Sequence, residues 1–130
     1  MTEQAPTEFT FPDDLEARGY AVFPQQLEDD DHIFFHGTAA IHLEPILNDG
    51  FAVPATLPSV SFAKQSPLAL KYACEGRSQE SPEGCILVVQ FEPSQHPGLV
   101  VEHSVAHDYK CEPQPEIIGY CIVPADYAFI

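Results

Sequence analysis

Basic residues are what this chain has least of. Arg18, Lys64, Lys71, Arg77 and Lys110 are its only five, against twenty acidic residues, for a net charge of −15. Binding a phosphate backbone takes clustered lysine and arginine. These five are scattered, which excludes direct nucleic-acid binding as an expectation. The four cysteines, Cys74, Cys85, Cys111 and Cys121, never form a Cys-x-x-Cys pair, and His42, His96, His103 and His107 show no ligand spacing. A zinc site is therefore not expected, and these histidines read as surface residues. No apolar run reaches the roughly 20 residues needed to span a bilayer, so no membrane association is expected. The opening Met1–Asp14 stretch has neither a positive start nor an apolar core, so no secretory signal is legible. Reduced, buried thiols in a cytoplasmic compartment are the corresponding expectation. No Gly-x-Gly-x-x-Gly follows a strand, which removes the Rossmann type of dinucleotide site.

What remains is an ordinary folding composition. At 130 residues and 45% hydrophobic, the chain has the length of one domain and enough apolar surface to close a core. Residues 1–31 read as an extension packed on or flanking a domain of residues 32–130. Residues 1–12 are expected to be irregular. A single helical turn is expected over Asp13–Gly19, a short strand over Tyr20–Phe23, and a loop from Pro24 to Asp31. Ile33-Phe34-Phe35 is a short apolar strand. A helix starting near Ile41 or His42 tolerates Pro45 in its first turn and stops at Gly50; Ile41, Ile46 and Leu47 are its inward positions. Residues 51–58 read as a loop or short strand. Ser59–Ala63 is a second strand. Ser66-Pro67 opens a second helix, whose inner face is Leu68, Ala69, Tyr72 and Ala73. Gly84–Phe91 is almost continuously apolar and therefore central. Leu99–Glu102 and Glu116–Val123 complete a mixed α+β pattern.

Three short segments carry chemistry-bearing residues in order: His36-Gly37-Thr38 at the end of the first strand, Ser59-Val60-Ser61-Phe62-Ala63 through Lys71-Tyr72, and Pro115-Glu116-Ile117-Ile118. Together they resemble the motifs of the ADP-ribosyltransferase superfamily, in particular its poly(ADP-ribose) polymerase-like branch, over residues 33 to 127. The resemblance implies an ADP-ribosyltransferase-like α+β fold: two packed, mostly antiparallel sheets flanked by short helices, with NAD as co-substrate in the cleft between them.

By that resemblance His36 holds the adenosine ribose, Gly37 brings its backbone close to the nicotinamide carboxamide beside the Thr38 hydroxyl, and Tyr72 stacks on the cationic nicotinamide ring. Glu116 is the catalytic candidate, with Glu112 next in line. A carboxylate there stabilises the oxocarbenium-like transition state formed as the nicotinamide bond breaks. Ser61 departs from the branch's tyrosine and resembles instead the Ser-x-Ser strand of the arginine-targeting branch. The implied activity is NAD-dependent mono-ADP-ribosylation of a protein, in a small effector or toxin. The alternatives are an inactive interaction or inhibitor protein that keeps the fold, and an NAD glycohydrolase. The acidity favours a basic protein acceptor, and a monomer is expected.

Overall fold

The computed structural model describes residues 6–52, 59–96, 98–102, 105–111 and 114–127. It is a mixed α/β arrangement of one seven-stranded sheet and three short α-helices. The strands are β1 (Thr7–Phe9), β2 (Ile33–Ala39), β3 (Val60–Ala63), β4 (Gly84–Gln90), β5 (Leu99–Glu102), β6 (Val105–Asp108) and β7 (Glu116–Val123). The helices are α1 (Gln25–Glu28), α2 (Leu43–Asp49) and α3 (Ser66–Glu75). Among the described residues, no helix is long and apolar enough to cross a membrane.

The strand order is β1-β7-β4-β2-β3-β6-β5. Only β1 and β7 run parallel; every other pair is antiparallel. Two packed sheets were expected, and the ladder instead forms one. The join is narrow: β2 meets β3 at the single pair Phe35↔Ala63, whereas β2 and β4 pair over seven residues, from Ile33↔Gln90 to Ala39↔Gly84.

β4 is apolar from Gly84 to Val89 because both of its faces are covered there. Ile86 and Val88 join one core with Phe35, Leu70, Ala73, Cys121 and Val123. Cys85, Leu87 and Val89 join a second with Phe34, Phe51, Phe62, Phe91 and Ala106. This is the alternation that a two-residue period dictates. Leu15, Val22 and Phe23 belong to the first core. Residues of the N-terminal stretch thus pack on the same sheet face as α3.

Several sequence expectations need correction. β2 does not end at Phe35 but runs through His36-Gly37-Thr38 to Ala39, because β4 continues opposite it. Tyr20–Phe23 is not a strand; Tyr20 takes a left-handed conformation (φ 68). The Pro24–Asp31 loop contains α1, held by the Glu28 carboxylate, which accepts from the Phe23 N–H at 3.2 Å and from the Ser66 hydroxyl at 2.5 Å. Ser66 is thereby drawn into helix α3 rather than capping it. Ile41 is 57% exposed, because a 3-10 turn over Ala40–His42 precedes α2 and rotates it outward. Strands β1 and β6 were not anticipated. Of the loop expected over residues 51–58, positions 53–58 lie outside the described residues, as do His103 and Glu112.

Helix α3 lies close against the sheet because small residues meet small residues. A Cβ at Gly37 would fall 1.8 Å from the Ala69 carbonyl oxygen, and one at Gly84 would fall 2.6 Å from that of Ala73. No side chain fits at those distances, so glycine is required at both positions.

Candidate functional site

β2 and β3 diverge beyond their single shared pair, and a cavity of about 880 Å3 opens beside them. Its walls come from β2 (His36, Gly37, Thr38), the α2 region (His42, Pro45, Ile46), Phe51, Ser59 just before β3 and Ser61 on it, α3 (Tyr72) and the β5–β6 pair (Glu102, Val105, His107). Five of the six residues singled out in the sequence are therefore brought together: His36, Gly37, Thr38, Ser61 and Tyr72. A second cavity of about 970 Å3 lies near the N-terminal stretch and includes none of them.

His36 is the most constrained of the group. Its Nδ1 lies 2.8 Å from the Ser61 carbonyl oxygen. A carbonyl can only accept, so Nδ1 carries the proton and Nε2 is left as an acceptor. The ring packs edge-to-face on Phe51 and tilted on Phe62, with centroids at 5.1 and 5.5 Å. That apolar setting holds its pKa below the usual value of 6.5: desolvation lowers it, the Ser61 carbonyl partly opposes the shift, and nearby His42 adds to it. His36 is thus a neutral imidazole at neutral pH, with one nitrogen committed.

Gly37 has a reason to be glycine apart from any ligand, since its missing side chain makes room for the α3 backbone. Its own backbone still forms part of the cavity wall. Tyr72 is 39% exposed at the rim of α3; Ala69, Leu70 and Ala73 are the buried positions of that helix. Its aromatic face is therefore not used up by the core. Phe62 turns to the opposite side of β3 and is buried.

Glu116 is not brought to this cavity. It is exposed at the start of β7, paired with Gln90 at the far end of β4. Gln90 in turn faces Ile33, three residues before His36, which is roughly 10 Å along the strand at about 3.3 Å per residue. The carboxylate that does line the cavity is Glu102, at the end of β5. No motif marks it in the sequence; only the pairing of β5 with β6 places it there.

The sequence reading of the histidines also needs correction. His96 is 7% exposed, with Nδ1 2.8 Å from the Glu92 carbonyl oxygen and Nε2 3.4 Å from that of Gln114. His107 is half-buried in the cavity wall. It stands opposite Ser61 in the β3–β6 ladder, with Nδ1 3.1 Å from the Ser61 hydroxyl and 3.5 Å from that of Ser59. Its signal was the alternation of Ser59, Ser61 and His107 with apolar neighbours on short strands. That signal is too brief to read without the pairing partner.

Among the described residues, no lysine or arginine lines the cavity, and the ionisable side chains that do are His36, His42, His107, Tyr72 and Glu102. No protein-family model matches the chain, and no curated protein matches it.

Proposed function

We propose that this cavity binds NAD and that the protein transfers ADP-ribose from it to a protein acceptor. The observation that carries the proposal is the convergence of His36, Gly37, Thr38, Ser61 and Tyr72, drawn from β2, β3 and α3, on one cavity. Its volume falls in the range of about 300–1,000 Å3 usual for small-molecule sites. The resemblance of these segments to ADP-ribosyltransferase motifs supports the reading, and so does the chemistry each residue offers. His36 Nε2 accepts a hydrogen bond from a ribose hydroxyl, while Nδ1 is held by Ser61. Tyr72 offers an aromatic face to the cationic nicotinamide ring. The Gly37 backbone and the Thr38 hydroxyl lie beside them.

The catalytic carboxylate in this reading is Glu102, taking the role first assigned to Glu116. It places a carboxylate at the exposed edge of the cavity that holds the ring-gripping residues. Negative charge there stabilises the positive charge that develops on the ribose as nicotinamide leaves. Cleavage with water as acceptor gives glycohydrolase activity from the same site.

One observation favours a second reading, in which the fold binds a partner without chemistry: among the described residues, the cavity lacks lysine and arginine. The two phosphates of NAD would be met only by backbone N–H groups, hydroxyls and histidine. The deciding experiment is incubation of the protein with NAD labelled in its adenylate, with and without a cell lysate. Labelled protein supports transfer, and nicotinamide release without labelling supports hydrolysis. Failure of NAD to bind by calorimetry, with neither product formed, overturns the proposal in favour of the second reading.

A further inference from the structure

Ser61 holds two histidines at once. Its carbonyl oxygen accepts from His36 Nδ1 at 2.8 Å, and its hydroxyl lies 3.1 Å from His107 Nδ1. The first contact fixes the ring whose other nitrogen, Nε2, faces a ribose in the reading above. The second has no role there. His107 is set on β6 directly across from Ser61, and the Ser59 hydroxyl lies 3.5 Å from the same nitrogen. Two hydroxyls therefore converge on Nδ1, while Nε2 makes no hydrogen bond among the described residues. Glu102 and Val105, paired at the end of the β5–β6 ladder, line the same cavity.

This arrangement is not that of a serine nucleophile. A serine activated by histidine is met by one ring nitrogen while an orienting group holds the other. Here both serines meet the same nitrogen, and the free one is available to something else. With Nδ1–H donating to the Ser61 hydroxyl, Nε2 is left unprotonated and open, the arrangement in which an imidazole takes a proton from a bound molecule, as a general base must be within hydrogen-bond reach of the proton it removes.

We infer that His107, positioned by Ser61 and Ser59, is the general base for the acceptor, and that the acceptor is a hydroxyl group. This inference rests on the ADP-ribosyl transfer proposed above. In the step, the bond between ribose C1′ and the nicotinamide nitrogen breaks, and its electron pair leaves with neutral nicotinamide. The acceptor oxygen bonds to C1′. The acceptor's proton passes to His107 Nε2 and from there to water. A carboxylate acceptor has no proton to lose and gains nothing from such a base. A hydroxyl, on a serine, threonine or tyrosine side chain or on water, does.

The test uses the full chain, wild type and the variants His107→Gln and Ser61→Ala, with NAD and three nucleophiles: a serine-containing peptide, water and azide. Azide is already an anion and needs no base. General-base assistance is worth about 10²–10⁴-fold. His107→Gln, which keeps a polar side chain against the serines, is expected to lose about 100-fold or more of nicotinamide release with peptide and water while keeping the wild-type rate with azide. Ser61→Ala is expected to show a smaller loss of the same selectivity. Equal rates for wild type and His107→Gln with peptide and water overturn the inference. So does an equal loss with all three nucleophiles, which marks His107 as structural. Wild-type protein that binds NAD and labels only carboxylate side chains overturns the hydroxyl assignment while leaving ADP-ribosyl transfer standing. Wild-type protein that neither binds NAD nor releases nicotinamide overturns both readings.

Discussion

The two halves of the sheet are built differently. In β7-β4-β2 the ladders are long, and β4 is buried on both faces from Gly84 to Val89. In β3-β6-β5 each strand has four residues, and the outer strand leaves Val100 and Val101 43% and 52% exposed. One residue pair joins the halves. The first half is stabilised by apolar contact on two sides. The second presents polar side chains, Ser59, Ser61, Glu102 and His107, to the cavity from one of its faces. The site thus sits on the boundary, with His36 fixed by the deep half and its hydrogen-bond partners supplied by the shallow one. The cavity draws on both: His36, Gly37 and Thr38 from the deep half, Ser61, Glu102 and His107 from the shallow one.

The comparison is tested first by stability. Leu87→Ala removes a fully buried side chain from β4 and is expected to cost about 2–5 kcal/mol. Val101→Ser on β5 is expected to stay within about 0.5 kcal/mol. Urea unfolding of both proteins measures the gap, and similar losses would erase the distinction between the halves.

Next in size is the contrast of two glutamates, one in each half. Glu102→Gln is expected to lower transfer from NAD by roughly 10²-fold with NAD binding nearly unchanged, because only the transition state develops the opposing charge. Glu116→Gln is expected to change it by less than about twofold. Reversal of the two results would return the catalytic role to the start of β7.

His36 comes third. Loss of one ribose hydrogen bond in His36→Ala is expected to weaken NAD binding by about 0.5–1.5 kcal/mol, read by calorimetry. The same side chain gives a pH signature. Its folded pKa lies below the usual 6.5 because it is desolvated, so the unfolded chain takes up that proton first as pH falls. Its contribution to stability is therefore intact above about 6.5 and is lost as pH drops toward the folded value. The melting-temperature difference between wild type and His36→Gln should shift against wild type between pH 7.5 and 5. A constant difference would mean that the ring is better solvated than its phenylalanine neighbours suggest.

The smallest expected effect concerns the surface. If the proposed transfer holds, a chain at −15 is expected to attract a basic protein acceptor through association rather than chemistry. Raising the salt should slow labelling of such an acceptor several-fold and leave NAD hydrolysis nearly unchanged. Salt-insensitive labelling would remove the basic-acceptor assignment.

The deep half was legible because burial on both faces writes itself into sequence. Gly84–Phe91 reads as a central strand and forms one over Gly84–Gln90, and Glu116–Val123 has the bounds its sequence suggests. The shallow half was not. Val105-Ala106-His107-Asp108 mixes apolar and polar residues over four positions. Asp108 is buried by a local turn in which its Oδ1 accepts from the N–H groups of Lys110 and Cys111, a contact that no periodicity announces. The site divides in the same way. His36, Gly37 and Thr38 lie on one continuous strand and could be read together. Glu102 and His107 reach the cavity only through strand pairing, and Glu116, chosen for opening a late strand, is carried away from it by the β7–β4 register.

Gly37 and Gly84 set a clearance. The backbone of α3 approaches β2 and β4 as closely as it does because two side chains are missing beneath it, and Tyr72 rides on that helix at the rim of the cavity. The height of the aromatic ring above the strand is therefore governed by how closely the helix backbone meets the strands beneath it. Any side chain at either glycine lifts the helix and the ring together, so the width of the slot and the closure of the core have a common tolerance. The chain cannot widen one without loosening the other.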